Sequence, residues 1–261
     1  MPANKTGTKW RREEIILAFD LYCRTPFKKI KENNSQIIEL AKLLGRTSGA
    51  VVLKMQNLAH HDPELQKRNV TAMAHGSKLD EEIFLEFSRD WTNLAYQAQC
   101  IRTKLQNVDI SKGIDMSDID VIPAGKNREQ LMKTRIGQDF FRRTVLNLYE
   151  NRCCITRLKQ PELLVASHIK PWKVSDERTE RTNPSNGLCL NALHDKAFDR
   201  GLITLDKEYK IVISRKLNDT DMDSETKAWF MGYSNHKITL PYKFLPGKDF
   251  IEYHNDMIFQ R

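Results

Sequence analysis

The sequence predicts an α+β protein in two parts, a helical N-terminal domain and a C-terminal domain that runs strand, long loop, strand, helix. Three observations predict it. Apolar residues recur at helical spacing through most of residues 1–106. Runs rich in β-forming residues and closed by turn signals appear in the second half. Between them lies a stretch rich in Asp, Ser, Gly and Pro. The borders expected are 1–106 for the helical domain, 107–130 for a linker and 131–261 for the second domain.

The first helix is expected in "KWRREEIILAFDLYCRTPF", where Ile15, Ile16, Phe19 and Tyr22 share one face and Pro26 marks the stop. The second, "NSQIIELAKLLG", opens at a cap near Asn34 and Ser35 and ends at Gly45. A third starts at the hydroxyls of Thr47 and Ser48 and carries Val51, Val52, Met55 and Leu58 inward. Ala41, Gly45 and Val51 have the spacing of a helix-turn-helix, and Trp10 at the head of the first helix resembles Myb-like three-helix domains. On that reading "RTSGAVVLKMQNLA" is a recognition helix. It would bring Arg46, Thr47 and Ser48 to DNA with its N-terminal end, and Lys54 and Gln56 to the groove or backbone. "KLDEEIFLEFSRDWTNLAYQAQCIRTKLQ" then supplies one or two longer helices.

In the second domain "RIGQDFFRRTVLNLYENRC" reads as a helix to about Tyr149 and "ELLVASHI" as a strand. The polar loop "KPWKVSDERTERTNPS" leads to a short strand, "NGLCLN", and a helix, "ALHDKAFDRG". "LITLD" and "YKIVIS" form a closing hairpin.

Net charge is +8 and unevenly spread: residues 1–60 and 131–215 carry +6 each, and the remainder carries −4. Two separate basic blocks fit two surfaces that face phosphates. No apolar run is long enough for a membrane span, and the N-terminus has no signal-peptide core, so a cytoplasmic protein is expected. The five cysteines are odd in number and lack framework spacing. Cys153 and Cys154 are adjacent, a poor arrangement for a shared tetrahedral ion, so reduced thiols and no structural zinc are expected.

The chemistry is concentrated around "LLVASHIKPW". His168 ends a strand, so the turn exposes its ring while the strand fixes its backbone, as a general base for phosphodiester hydrolysis requires. Asn186 opens the return strand and His194 lies in the first turn of the helix, where an anionic phosphate is favoured. With "RIGQDFFRRTVLNLYENRCCIT" before it and "NGLCLNALHDKAFDRGLITLD" after it, this arrangement resembles the HNH nucleases and their ββα-metal fold. "FIEYHNDMIF" resembles the segment that follows this domain in bacterial restriction-type HNH proteins.

The resemblance implies a catalytic set of His168 as general base, Asn186 as holder of the loop, and His194. His194 would be a metal ligand, with Asp199 of "FDRG" as second ligand or orienter, and the metal would be Mg²⁺ or Mn²⁺. Many family members place an acidic ligand directly before the first histidine, and here Ser167 stands there. The implied substrate is double-stranded DNA, contacted near the scissile bond by Lys170, Lys173 and Arg135. A homodimer would give one site per strand. Two other readings stay open: a DNA-binding regulator with a vestigial site, or a mobile-element or homing nuclease.

Overall fold

The computed structural model describes residues 5, 7–67, 76–110 and 128–261. Two compact units emerge, one of Met1–Thr144 with Asp176–Thr182, the other of Val145–Ser175 with Asn183–Arg261.

The first unit is helical: α1 (Arg12–Arg24), α2 (Ser35–Leu44), α3 (Ser48–His60), the short α4 (Pro63–Lys67), α5 (Lys78–Phe87), α6 (Trp91–Gln106) and the larger part of α7 (Arg128–Leu148). Helix α1 is its centre, packing on α2, α3, α5 and α6 and burying Ile15, Ile16, Phe19 and Tyr22. The caps explain the ends. Asn34 accepts from the backbone N–H groups of Gln36 and Ile37, and Gly45 closes α2 at φ +67°, a conformation that glycine adopts without Cβ strain. Thr47 accepts from Ala50 N to start α3. The long pattern over 78–106 divides in two because Asp90 caps a new helix.

Of the expected linker, residues 111–127 lie outside the described residues. Helix α7 already begins at Arg128, and the division between units falls within it, after Thr144.

The second unit holds β1 (Leu164–His168), β2 (Gly187–Asn191), α8 (Ala192–Asp199), β3 (Ile203–Leu205), β4 (Ile211–Ile213), α9 (Arg215–Asn218), α10 (Ser224–Met231) and α11 (Lys248–Met257). Strands β1 and β2 are antiparallel, with Leu164 opposite Asn191 and His168 opposite Gly187. Strands β3 and β4 form a second antiparallel pair, Ile203 opposite Ile213. Helix α8 packs on both strands of the first pair and on β3. No helix among the described residues is long and apolar enough to cross a membrane.

Candidate active site

His168 is the last residue of β1, half-buried, and its ring meets that of Trp172 edge-on at 5.5 Å. The chain then turns, and Asn186 holds the turn. Fully buried, Asn186 accepts from Lys170 N through Oδ1 (2.8 Å) and donates through Nδ2 to Lys170 O (3.1 Å) and Ser175 Oγ (3.4 Å). Its own carbonyl accepts from Ile169 N at 2.9 Å. One amide side chain thus satisfies the backbone of the residue two past His168, which fixes the strand exit.

Helix α8 starts directly from β2. Asn191 is its N-cap, accepting from His194 N at 3.0 Å, and its Nδ2 donates to His194 Nδ1 at 2.8 Å. Trp229, Phe230 and Tyr233 pack around the ring at 5.4–5.8 Å between centroids. Burial drives the imidazole pKa down to about 4. His194 is therefore a buried, neutral imidazole whose Nδ1 is engaged by Asn191. The aromatic wall comes from α10 and the turn after it, whose contact with His194 has no local signature in the sequence.

The acidic groups lie one residue further on. Asp195 is half-buried beside Ser167, whose hydroxyl favours the carboxylate while its buried Oγ makes no well-formed hydrogen bond. Burial, opposed by Ser167 and Lys196, raises the Asp195 carboxyl above the usual range. Asp199 follows at i+4, about 40° round the helix and so on the same face. Its side chain reaches solvent, while crowding on its inner side and the charge of Asp195 raise its pKa too. No ion pair engages either carboxylate among the described residues.

Asp195 is the functional candidate that the sequence reading missed. Counting from Asp199 would have found it, since it is the carboxylate one turn back, whereas His194 is about 140° away. Ser167 occupies the position where an acid was expected, and the fold sets Asp195 beside it.

A strand ending in His168, its exit closed by buried Asn186, thus leads through the return strand to a helix that carries two carboxylates one turn apart. Residues 153–206 match the HNH endonuclease family, and the chain carries an HNH endonuclease domain over that segment. Among solved structures, a modification dependent TagI restriction endonuclease is similar at 18% identity and a TM-score of 0.28, over 45% of this chain and 37% of that one. The chain thus spans little more than a third of that relative's length. No curated protein matches.

The expected DNA contacts divide. Thr47 is exposed, while Ser48 and Gln56 are partly exposed, on α3 and its cap. Arg46 and Lys54 require correction. The Arg46 side chain is 3% exposed; Nη2 pairs with Glu14 Oε2 at 2.7 Å and bonds Lys9 O at 3.0 Å, and the guanidinium lies over the Trp10 ring at 4.3 Å. Lys54, 7% exposed, is held by both oxygens of buried Asp80 at 2.8 Å. Both cations are spent inside the helical unit because Glu14 and Asp80 are themselves buried. In the second unit Lys173 is exposed beside the site, and Lys170 sits over the Tyr253 ring at 5.2 Å. Arg135 is half-buried on α7, within bonding distance of Gln138 Oε1 at 3.3 Å.

Proposed function

We propose that the protein is a metal-dependent DNA endonuclease of bacterial restriction or phage-defence type, with His168 as general base and Asp195 and Asp199 as holders of a divalent ion. The observation that carries this reading is the stitching of the His168 turn by Asn186, beside a helix that presents two carboxylates on one face. It is supported by the HNH family match over the same residues.

The donor set fits a hard cation. Burial and then repulsion from Asp195 raise the pKa of Asp199, so a divalent ion between the two would relieve part of that cost, and Ser167 offers a buried hydroxyl lacking a well-formed bond. Among the described residues no cluster of three or more His, Cys, Asp or Glu forms a cage, so most of the shell falls to water and substrate, which suits Mg²⁺ or Mn²⁺. Once bound, the ion supplies stabilisation for charge on the phosphate and on the departing 3′ oxygen.

His168 takes a proton from the attacking water, and the Asn186 contacts keep its backbone from shifting as it does so. Hydrolysis on that side leaves a 5′-phosphate end. Lys173 and Lys170 flank the scissile phosphate, and the exposed cap and outer face of α3, with Thr47, Ser48 and Gln56, is the part of the helical unit that meets double-stranded DNA as a helix-turn-helix or Myb-like reader. Cleavage of both strands calls for a homodimer. The protein acts in the cytoplasm, where its DNA substrate lies.

The test incubates wild type, His168→Ala and Asp195→Asn with plasmid and genomic DNA, methylated and unmethylated, in Mg²⁺, Mn²⁺ or EDTA. Metal-dependent cutting by wild type alone is the expected result. Retained DNA binding with no cutting on any substrate would replace the nuclease with a regulator carrying a vestigial site.

A further inference from the structure

The polar loop between His168 and Asn186 is divided in its allegiance. Its middle, Asp176–Thr182, is part of the helical unit, while Ser175 before it and Asn183 after it are part of the second unit. One aspartate gives that middle a shape of its own. Asp176 Oδ1 accepts from Arg178 N, Thr179 N and Thr179 Oγ1 at 2.7–3.1 Å, and its backbone carbonyl accepts from Glu180 N at 3.1 Å and Arg181 N at 3.0 Å. The segment is thus folded onto itself by local bonds.

It is seated on the first turn of α6. Thr92, buried, donates Oγ1 to Glu177 O at 2.9 Å. A hydroxyl has one proton, so the fully buried Thr182 Oγ1, also 2.9 Å from Thr92 Oγ1, is the donor of the second bond. Trp91 N, one of the N–H groups a helix start leaves without an internal partner, donates to Arg178 O at 3.2 Å. Arg178 Nε also reaches Asp90 Oδ2 at 3.1 Å, but that side chain is 74% exposed and its ion pair adds little. Gly137 of α7 leaves room for the seat, since a Cβ there would lie 2.9 Å from Thr182 Cγ2. The buried Thr92 hydroxyl is therefore the centre of the anchor.

Both ends of the anchored segment run into the residues that hold the His168 turn. Ser175 Oγ lies 3.0 Å from Lys170 O and from Pro171 O and accepts from Asn186 Nδ2 at 3.4 Å. Asn183 accepts from Ser185 N at 2.9 Å and so caps the short turn Pro184–Asn186. Pinning a loop at its middle removes conformations from both of its ends.

We propose that Thr92 is a positioning residue for the nuclease: its hydroxyl fixes Asp176–Thr182 and, through Ser175 and Asn186, the turn that presents His168. The role in cleavage rests on the nuclease reading above, whereas the effect on the turn does not.

The test is amide hydrogen exchange of the full chain, resolved by residue with NMR, beside the kinetics of DNA nicking. Ile169 N, bonded to Asn186 O, and Lys170 N, bonded to Asn186 Oδ1, report on the turn, and His194 N and Ile258 N report on the rest of the second unit. Thr92→Val keeps the side-chain shape and loses both hydroxyl bonds. It should speed exchange at Ile169 and Lys170 by ~10-fold or more, leave His194 and Ile258 within ~2-fold, and lower kcat for nicking by ~10-fold or more with KM within ~2-fold. Thr92→Ser, which keeps the oxygen, should behave as wild type in every readout. Should melting curves show Thr92→Val unfolded, Thr182→Val removes the hydroxyl pair alone and should shift the same readouts in the same direction. Turn amides that exchange as in wild type in a folded variant would overturn the proposal, as would a uniform rise across the second unit, equal losses in Thr92→Ser and Thr92→Val, or a loosened turn with kcat unchanged. A wild type that cuts no DNA removes the nuclease reading alone, and the exchange comparison still decides whether Thr92 holds the turn.

Discussion

Asn186 closes a two-point hydrogen bond on the backbone of Lys170, accepting from its N at 2.8 Å and donating to its O at 3.1 Å. The turn after His168 is held by side chains, Asn186 and the Ser175 hydroxyl that bonds Lys170 O and Pro171 O at 3.0 Å. Asn186→Ala removes the Oδ1 acceptor of Lys170 N and one donor to Lys170 O, which keeps Ser175 Oγ at 3.0 Å, and should cost about 1–3 kcal/mol. Asn186→Asp keeps the acceptor and sets a carboxylate against Lys170 O. Both should slow DNA nicking by ~100-fold or more at temperatures where melting curves show the variant folded, because a general base displaced by about 1 Å loses that much.

Asp195 and Asp199 bind protons more tightly in the folded chain than in the unfolded one, since both carboxyls are raised. By linkage, stability then falls as pH rises through the carboxylate range. Asp195→Asn should therefore raise the melting temperature in EDTA at neutral pH. Millimolar Mg²⁺ or Mn²⁺ should raise that of wild type and leave Asp195→Asn unmoved. An equal metal response in both proteins would remove Asp195 from the ligand set.

His194 and His254 are buried and neutral, each with its pKa lowered to about 4 from 6.5 by burial. The unfolded chain takes up protons first as pH falls, so stability is intact above about pH 6.5 and is lost between there and about 4. The loss is on the order of 3 kcal/mol for each histidine at most. Urea midpoints across that window should fall for wild type and fall less for His254→Gln.

Helix α8 is fixed at its far end by the C-terminal segment. His254 Nε2 donates to Phe198 O at 3.0 Å, Gln260 N donates to Gly201 O at 2.9 Å, and Gly201 has φ +66°. A Cβ at Gly201 would lie 2.0 Å from Ile258 O. Gly201→Ala should destabilise the protein by roughly 2 kcal/mol or more, through both the strained φ and the clash, and melting curves would show it.

Arg46→Ala strands Glu14 in the interior, with only Lys5 Nζ at 2.7 Å to answer its charge. The expected cost is about 3–5 kcal/mol of stability. The slope of DNA affinity against salt should stay as in wild type, because Arg46 has no exposed charge to lose. A shallower slope in the folded variant would return Arg46 to the DNA interface.

Local signals in the sequence determined a good deal: the helical N-terminal half with its caps at Asn34 and Thr47, the strand ending at His168, the return strand after Asn186, and the HNH resemblance over the segment that the family match covers. These depend on the spacing and turn chemistry of neighbouring residues, which a chain carries in its order. Tertiary structure alone decided which charged and polar side chains face inward. Arg46 and Lys54 read as basic groups on a recognition helix until Glu14 and Asp80, 32 and 26 residues away, bury them. The His194 ring gained its aromatic surroundings only from α10, and Asp195 its place only when α8 packed on β1 beside Ser167. The physical reason is the same in each case. Burial and pairing are properties of the elements that pack around a side chain, and those elements lie far off in sequence.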